Sequence, residues 1–291
     1  MADLFVSDAR RGRIVLLSGD SIADEYGSLG SGQDQFTDPV AVARAPDGAL
    51  VIADRGNDRI VHVDDFGGGN WRTLGVSGSG EGELRRPTGV AVDVLGRIWI
   101  ADAGNRRIVR VDDIGGSGWE TFGVSSTPTA SDPAVGAFTD PAAVHVMPDG
   151  RVLIADPGAG RVIRIDDIDG SGWTASAFGT LRAPTSITTI ETAGETLVLV
   201  AEFAARRVAL LDANLQVRRT STDPRLNGPA AVCVADGELI ALVPPFRTVA
   251  ALADDGTQIE VSGEVRLGPL GIERPVSIAP ANSASTAETA A

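Results

Sequence analysis

An internal repeat limits what this chain can fold into more strongly than any other feature of its sequence. Three strong copies share the run Ile-Ala-Asp, an Arg five residues after that Asp, and a closing Asp-Asp pair. A marker proline follows the first residue of every copy, and successive marker prolines are 48, 54, 43, 45 and 46 residues apart. Such a period indicates one supersecondary unit stacked several times. The strong copies begin at Asp38, Arg86 and Asp140, two weaker copies begin at Ala183 and Gly228, and a final fragment begins at Arg274.

Each copy has the pattern of four short strands, which we label a to d. Segments rich in β-branched residues alternate with turns that contain Gly, which is typical of antiparallel hairpins. No segment shows a helical period. Four-stranded units at this spacing predict the blades of an all-β propeller. In the copy that begins at Arg86, the predicted strands are Thr88–Val92, Arg97–Ala101, Arg107–Val111 and Gly118–Phe122.

The two ends of the chain complement each other. The N-terminal segment supplies strands b, c and d with no strand a before them, and the C-terminal segment supplies a strand a alone. We therefore predict one domain over residues 1–280, a six-bladed propeller closed by the C-terminal strand, which joins the N-terminal blade and removes exposed sheet edges. Residues 281–291 are expected to form a disordered tail. The predicted strands of this shared blade are Leu4–Val6, Arg13–Leu17, Glu25–Leu29 and Pro275–Ala279.

The repeated residues resemble a known family. The pattern G…F…P…V…G…(I/V)AD…N…R(I/V)…D is similar to the NHL repeat, most clearly from Phe36 through Asp64, from Leu84 through Asp112 and from Phe138 through Asp166. With the weaker copies, the resemblance covers about residues 1–280. It implies a six-bladed propeller, and it does not select a function, because this fold supports binding modules and enzymes alike.

Composition excludes several classes of function. The net charge of −14 disfavours nucleic acid as a partner, since the field of the whole molecule repels phosphates. The 25 cationic residues are all arginine, which excludes Schiff-base lysines and the lysine of a phosphate-binding loop and is consistent with a bacterial coding sequence. No nucleotide, metal or redox motif is present, so we expect no cofactor and no metal site. No signal peptide or membrane-spanning stretch is visible and Cys233 is the single cysteine, so we expect a soluble cytoplasmic protein.

A carboxylate ends strand b and an arginine opens strand c five residues later in five of the six blades. This spacing places the two side chains at the two feet of one b–c loop, where a carboxylate and a guanidinium form a bidentate pair. A ring of catalytic carboxylates is the alternative, but an active site seldom needs five copies of one pair. We therefore interpret the pairs as structural clamps. They are Asp8 with Arg13, Asp54 with Arg59, Asp102 with Arg107, Asp156 with Arg161, and Glu202 with Arg207.

Propeller topology assigns the loops to two faces. The d–a and b–c loops share one face, here called the top face, and the a–b and c–d turns share the bottom face. Aspartates recur in the bottom turns, whereas arginines recur in the top loops, where they suit recognition of carboxylates and phosphates. Blade 6 lacks the clamp and instead carries Val243-Pro244-Pro245-Phe246-Arg247, a rigid loop that presents an aromatic side chain beside a cation. The predicted binding residues are Asp38, Arg55, Arg86, Arg106, Asp140, Arg206, Phe246, Arg247 and Arg274.

Two histidines are the remaining chemically versatile residues. His145 lies on a predicted strand a near the propeller axis, where we expect a hydrogen-bonded core residue. His62 occupies the outward position that Arg110 and Arg164 hold in other blades, so we expect it to be solvated. Two histidines argue against a His-rich zinc site at the axis.

These observations favour a non-catalytic binding or scaffolding module that uses its top face, with a protein as the partner. Two alternatives stay open. One is a lyase or hydrolase at the mouth of the central channel, where a small-molecule ligand has room. The other is RNA binding through the top-face arginines, which the net charge disfavours.

Overall fold

The structure is a computed structural model that describes residues 2–123, 134–192, 194–254 and 258–281. Six four-stranded antiparallel sheets form the six blades, which confirms the predicted blade count. Strands of the first three blades, in the order a to d, are as follows: blade 1, Pro275–Pro280, Leu4–Asp8, Arg13–Ser18 and Ser21–Tyr26; blade 2, Pro39–Arg44, Leu50–Asp54, Arg59–Val63 and Arg72–Leu74; blade 3, Pro87–Val92, Ile98–Asp102, Arg107–Val111 and Glu120–Phe122.

Blades 4 to 6 keep the same strand order, and blades 5 and 6 have longer hairpins. Their strands are as follows: blade 4, Ala143–Val146, Val152–Asp156, Arg161–Ile165 and Thr174–Ala175; blade 5, Pro184–Thr192, Glu195–Glu202, Arg207–Leu211 and Val217–Thr220; blade 6, Ala231–Ala235, Glu238–Val243, Thr248–Asp254 and Ile259–Arg266.

The C-terminal strand closes the ring as predicted. It runs antiparallel to the first strand of the chain, with Ile278 opposite Val6 and Ala279 opposite Phe5. Ala281, which the sequence assigned to a tail, is buried and its amide donates to the Asp3 carbonyl at 2.9 Å. The rest of the predicted tail, residues 282–291, lies outside the described residues.

Blade 1 differs from the sequence prediction in its outer strand. Strand d runs over Ser21–Tyr26 instead of Glu25–Leu29, because Gly19 and Asp20 form a tight turn directly after strand c. The displaced residues Ser28–Leu29 pair in parallel with Gln35–Phe36, and a second parallel pair joins Val76–Ser77 to Glu83–Leu84. Both short ladders fold the d–a connections back on themselves at the top face.

Apolar residues of neighbouring blades form the core. Each of the six junctions between blades holds one cluster of buried side chains, such as Ile52 and Val63 against Phe5 at the junction of blades 1 and 2. Burial of this much apolar surface is the main term that stabilises the ring. The helices among the described residues are single 3-10 turns, none long enough to cross a membrane. They span Arg55–Asn57, Ala103–Asn105, Pro157–Ala159, Pro224–Leu226 and Pro244–Phe246.

Candidate binding face

The Asp–Arg clamp is clearest in blade 3. Asp102 is fully buried at the end of strand b, and one of its oxygens accepts from Arg107 Nε and from Asn105 Nδ2, both at 2.8 Å. Its other oxygen accepts the backbone amide of Arg85 at 2.7 Å. Burial raises the pKa of Asp102, while these three donors act in the opposite direction. The carboxylate therefore satisfies three donors at one point.

The clamp also reaches a second loop, which the sequence did not predict. Arg107 gives only Nε to the carboxylate, so the pair is not bidentate. Its Nη1 donates to the Ser79 carbonyl and its Nη2 to the Glu83 carbonyl, each at 2.8 Å. One guanidinium thus joins the b–c loop to the d–a connection that enters the same blade. Because both loops lie on the top face, the clamps fix the shape of that face.

The remaining clamps vary around this plan. Blade 2 repeats it, with Arg59 Nε 2.9 Å from Asp54. Blades 1 and 4 hold longer pairs, at 3.4 Å between Arg13 and Asp8 and 3.5 Å between Arg161 and Asp156. Blade 5 pairs Arg207 with the longer Glu202, whereas blade 6 carries Val243 and Thr248 at the two positions.

Several predicted binding residues have an unusual backbone conformation. The residue before strand c adopts a left-handed conformation in every blade, with φ of 54° at Arg106, 57° at Arg206 and 48° at Arg247. Blades 1 and 4 carry glycine there, at Gly12 and Gly160. A side chain with a Cβ costs about 1 kcal/mol in this conformation. Arginines thus stand at positions where the local backbone favours glycine. Backbone strain of this kind clusters at functional sites.

The inner rim of the top face is partly neutralised. Arg55 Nε donates to Asp38 at 2.8 Å, and Arg274 lies 3.5 Å from the other oxygen of the same carboxylate. Glu273 forms ion pairs with Arg10 Nε and Arg11 Nη2, each 2.9 Å from a carboxylate oxygen. Arg11 and Arg10 lower the pKa of Glu273. The top face is therefore less strongly positive than the sequence suggested, because acids of the same face pair with its arginines.

Blades 5 and 6 present the most exposed aromatic side chains of the top face. Phe203, the first residue of the b–c loop of blade 5, and Phe246, the third residue of the b–c loop of blade 6, are 44% and 51% exposed. A Cβ built on Gly228 would be 3.4 Å from both the Phe203 ring and Pro245, so Gly228 lies between the two loops. Each loop ends in an exposed arginine, Arg206 in blade 5 and Arg247 in blade 6. We call Phe203, Arg206, Gly228, Pro245, Phe246 and Arg247 the aromatic–arginine patch.

The three remaining predicted binding residues belong to blades 3 and 4. Arg86 and Arg106 are exposed on blade 3, where the Arg86 amide donates to Asp58 at 2.7 Å. Asp140 is exposed at the entry to blade 4. Phe203 was not among the predicted residues, although its loop aligns with the Pro-Pro-Phe-Arg loop of blade 6. Residues 124–133, in the connection between blades 3 and 4, lie outside the described residues.

Inner strands pack closely around the axis. Thr88 Oγ1 donates to the Pro141 carbonyl of the next blade at 2.8 Å, and a Cβ at Gly89 would lie 2.9 Å from the Ala143 Cα. His145 Nε2 lies 3.1 Å from Thr189 Oγ1 on blade 5. His145 is partly buried, and burial lowers the pKa of this imidazole to about 4. Among the described residues, no three His, Cys, Asp or Glu side chains are grouped closely enough to hold a metal ion.

Comparisons with known proteins agree with this architecture. A family model described as the NHL repeat matches residues 84–110, the entry to blade 3 and its first three strands. No curated protein sequence matches the chain. A crystal structure of a nidogen/laminin complex contains a chain with 16% identity and a TM-score of 0.73, over 97% of this chain and 99% of that one.

Two further solved structures are similar. A catalytically inactive virginiamycin B lyase from Staphylococcus aureus with quinupristin has 15% identity and a TM-score of 0.65, over 91% of this chain and 84% of that one. A protein of unknown function from Bacteroides caccae has 14% identity and a TM-score of 0.65, over 96% of this chain and 99% of that one. At these identities the similarity shows the fold alone.

Proposed function

Because this chain is a six-bladed β-propeller of the NHL-repeat family, we propose that it is a non-catalytic binding module whose partner is a protein that docks on the top face. The observation that supports the proposal is the aromatic–arginine patch of blades 5 and 6. Phe203 and Phe246 are exposed in the b–c loops of adjacent blades, and each loop ends in an exposed arginine.

The chemistry of this patch is that of a protein interface. Aromatic residues and arginine are enriched where protein–protein contacts are most buried, and they dominate the residues whose truncation weakens binding. An exposed apolar patch rimmed by polar residues is typical of a protein interaction site. A partner that covers Phe203 and Phe246 would remove their apolar surface from water, and the flanking arginines would select carboxylates on that partner.

The loops that carry the patch are rigid before any partner arrives. Pro244 and Pro245 open a 3-10 turn in blade 6, and the Arg247 amide closes it on the Pro244 carbonyl at 3.0 Å. In blade 5, the clamp between Glu202 and Arg207 fixes the two feet of the loop. Rigid loops lose little conformational entropy on binding, which lowers the cost of forming a contact.

The experiment compares affinity capture by immobilised wild-type chain with capture by two variants, quantified by mass spectrometry. The top-face variant is Phe203→Ser with Phe246→Ser. The matched control is Val94→Ser with Leu95→Ser, which also removes two exposed apolar side chains but from the bottom face. We expect at least one protein whose recovery falls at least tenfold with the top-face variant and is unchanged with the control.

Two outcomes would contradict the proposal. Equal recovery of every protein by the wild type and the top-face variant would show that the patch binds none of the captured proteins. Recovery of RNA in a salt-sensitive manner, abolished by Arg86→Glu with Arg106→Glu, would support the RNA-binding alternative instead.

A further inference from the structure

The junction between blades 2 and 3 departs from the repeat at the bottom face. In the next junction, Arg110 of blade 3 crosses to blade 4, where its Nη1 donates to Asp167 at 2.6 Å. The same guanidinium lies 5.6 Å from the ring centroid of Trp99, its cross-strand neighbour. A large aromatic side chain and a long cationic one thus occupy the space between blades 3 and 4.

Blade 2 carries smaller side chains at the two equivalent positions. Val51 replaces the tryptophan and His62 replaces the arginine, and the two face each other across strands b and c. The sequence predicted a solvated His62, but this side chain is only 8% exposed, and Arg72 of strand d lies 3.3 Å from its Nδ1. A cleft of about 340 Å³ remains between the blades, and the apolar part of its lining includes Val51, Val92 and Ile98. This volume is sufficient for a small organic molecule.

A second departure from the repeat lies at the rim of the same cleft. The a–b turns of blades 2 and 4 contain Pro-Asp-Gly, whereas the turn of blade 3 contains Val94-Leu95-Gly96. Val94 and Leu95 are 80% and 74% exposed, and both line the cleft. Two independent substitutions in the repeat therefore meet at one place: one opens the cleft and the other adds apolar surface to its edge.

The charged groups around the cleft favour a cation. Asp113 lines it at the position that Asp167 holds in blade 4, where that carboxylate receives Arg110. Asp47 is a second carboxylate of the lining. Burial and the nearby Arg72 lower the pKa of His62, so this imidazole is neutral at pH 7.

Arg72 is the cation of the cleft. Its Nη2 lies 3.3 Å from His62 Nδ1 and 3.9 Å from Asp64. The two lining carboxylates, Asp47 and Asp113, outnumber this one lining cation, so the cleft has a net negative charge.

We propose that this cleft binds a small organic cation, an amidinium, guanidinium or ammonium group on an apolar body. The charged head would donate hydrogen bonds to Asp113, as Arg110 donates to Asp167 at the junction of blades 3 and 4. The apolar body would cover Val51 and the exposed Val94 and Leu95. The site lies on the face opposite the aromatic–arginine patch and does not depend on the function proposed for that patch.

Isothermal titration with benzamidine tests the proposal, with benzamide as its neutral isostere. We expect benzamidine to bind the wild-type chain at least tenfold more tightly than benzamide does. Asp113→Asn should weaken benzamidine binding at least tenfold, since it removes the charge and keeps the oxygen that accepts the Gly115 amide at 2.7 Å. The matched control is Asp65→Asn in blade 2, where the equivalent carboxylate accepts the Gly67 amide in the same turn, and affinity should not change.

A second variant tests the origin of the cleft. His62→Arg restores the arginine that blades 3 and 4 carry, so it should fill the cleft and abolish benzamidine binding. Folding of each variant is checked by circular dichroism. Equal affinities for benzamidine and benzamide, or equal losses with Asp113→Asn and Asp65→Asn, would overturn the proposal. Neither result bears on the top-face partner, whose capture depends on Phe203 and Phe246.

Discussion

At the scale of single residues, His145 shows how the closed ring changes a side chain's chemistry. Its imidazole lies between inner strands and is 3.1 Å from Thr189 Oγ1. Burial disfavours the charged form, so the pKa in the folded chain falls from the ordinary 6.5 to about 4. The residue is therefore neutral at pH 7 and acts as a hydrogen-bonding member of the inner strands.

This shift predicts a pH dependence of stability. Between pH 6.5 and about 4, the unfolded chain binds a proton on His145 that the folded chain does not bind, so the free energy of unfolding decreases as the pH falls. The free energy of unfolding decreases by at most about 3 kcal/mol, because the His145 side chain is partly exposed to solvent. His145→Gln should flatten the curve in this range when urea unfolding is followed at several pH values. Identical slopes for wild type and variant would contradict the assignment.

At the scale of elements, the clamp is the device that ties loops to strands. Asp102 takes a donor from the b–c loop, one from strand c and one from the d–a connection. Arg107 then extends to the Ser79 and Glu83 carbonyls. A buried ion pair of this kind contributes little net stability, because desolvation of the charges offsets their attraction. Its role is to hold one arrangement of the top-face loops.

Removal of one partner should therefore be costly and local. Asp102→Ala leaves Arg107 and the Arg85 amide without their acceptor, and we expect a loss of about 3 kcal/mol in urea unfolding. Hydrogen exchange should rise in residues 78–86, the connection that the clamp holds. The control is Glu120→Gln, which removes an exposed partner of Arg110 and should cost under about 1 kcal/mol. Unchanged exchange in residues 78–86 would show that the clamp does not hold this connection.

At the scale of the whole molecule, closure by the C-terminal strand is the feature on which the ring depends. The strand Pro275–Pro280 covers the inner edge of Leu4–Asp8, and Ser7 Oγ lies 2.7 Å from Ser277 Oγ across this seam. Without it, the first strand would present unpaired backbone groups, which promote pairing with other chains.

Truncation tests this closure. A chain that ends at Arg274 should melt at a lower temperature and associate, as measured by circular dichroism and light scattering. A chain that ends at Ala281 retains the seam and should match the full chain in both measurements. A stable, monomeric chain ending at Arg274 would show that the seam is dispensable.

The sequence predicted the features that recur in every copy. Blade number, strand order and closure by the C-terminal strand follow from the repeat itself. The sequence did not predict features that depend on the folded surroundings: the carbonyls that accept from Arg107, the burial of His62, and the exposure of Phe203. A repeat shows which residues share a position, but not which of them meet across a junction.

Hydrogen exchange of the chain with and without its captured protein partner tests the central claim most directly. We predict protection in the b–c loops of blades 5 and 6, residues 203–207 and 244–248, with no change in the bottom turns at residues 45–49 and 93–97. Protection confined to the bottom turns, with the two top loops exchanging as in the free chain, would contradict it.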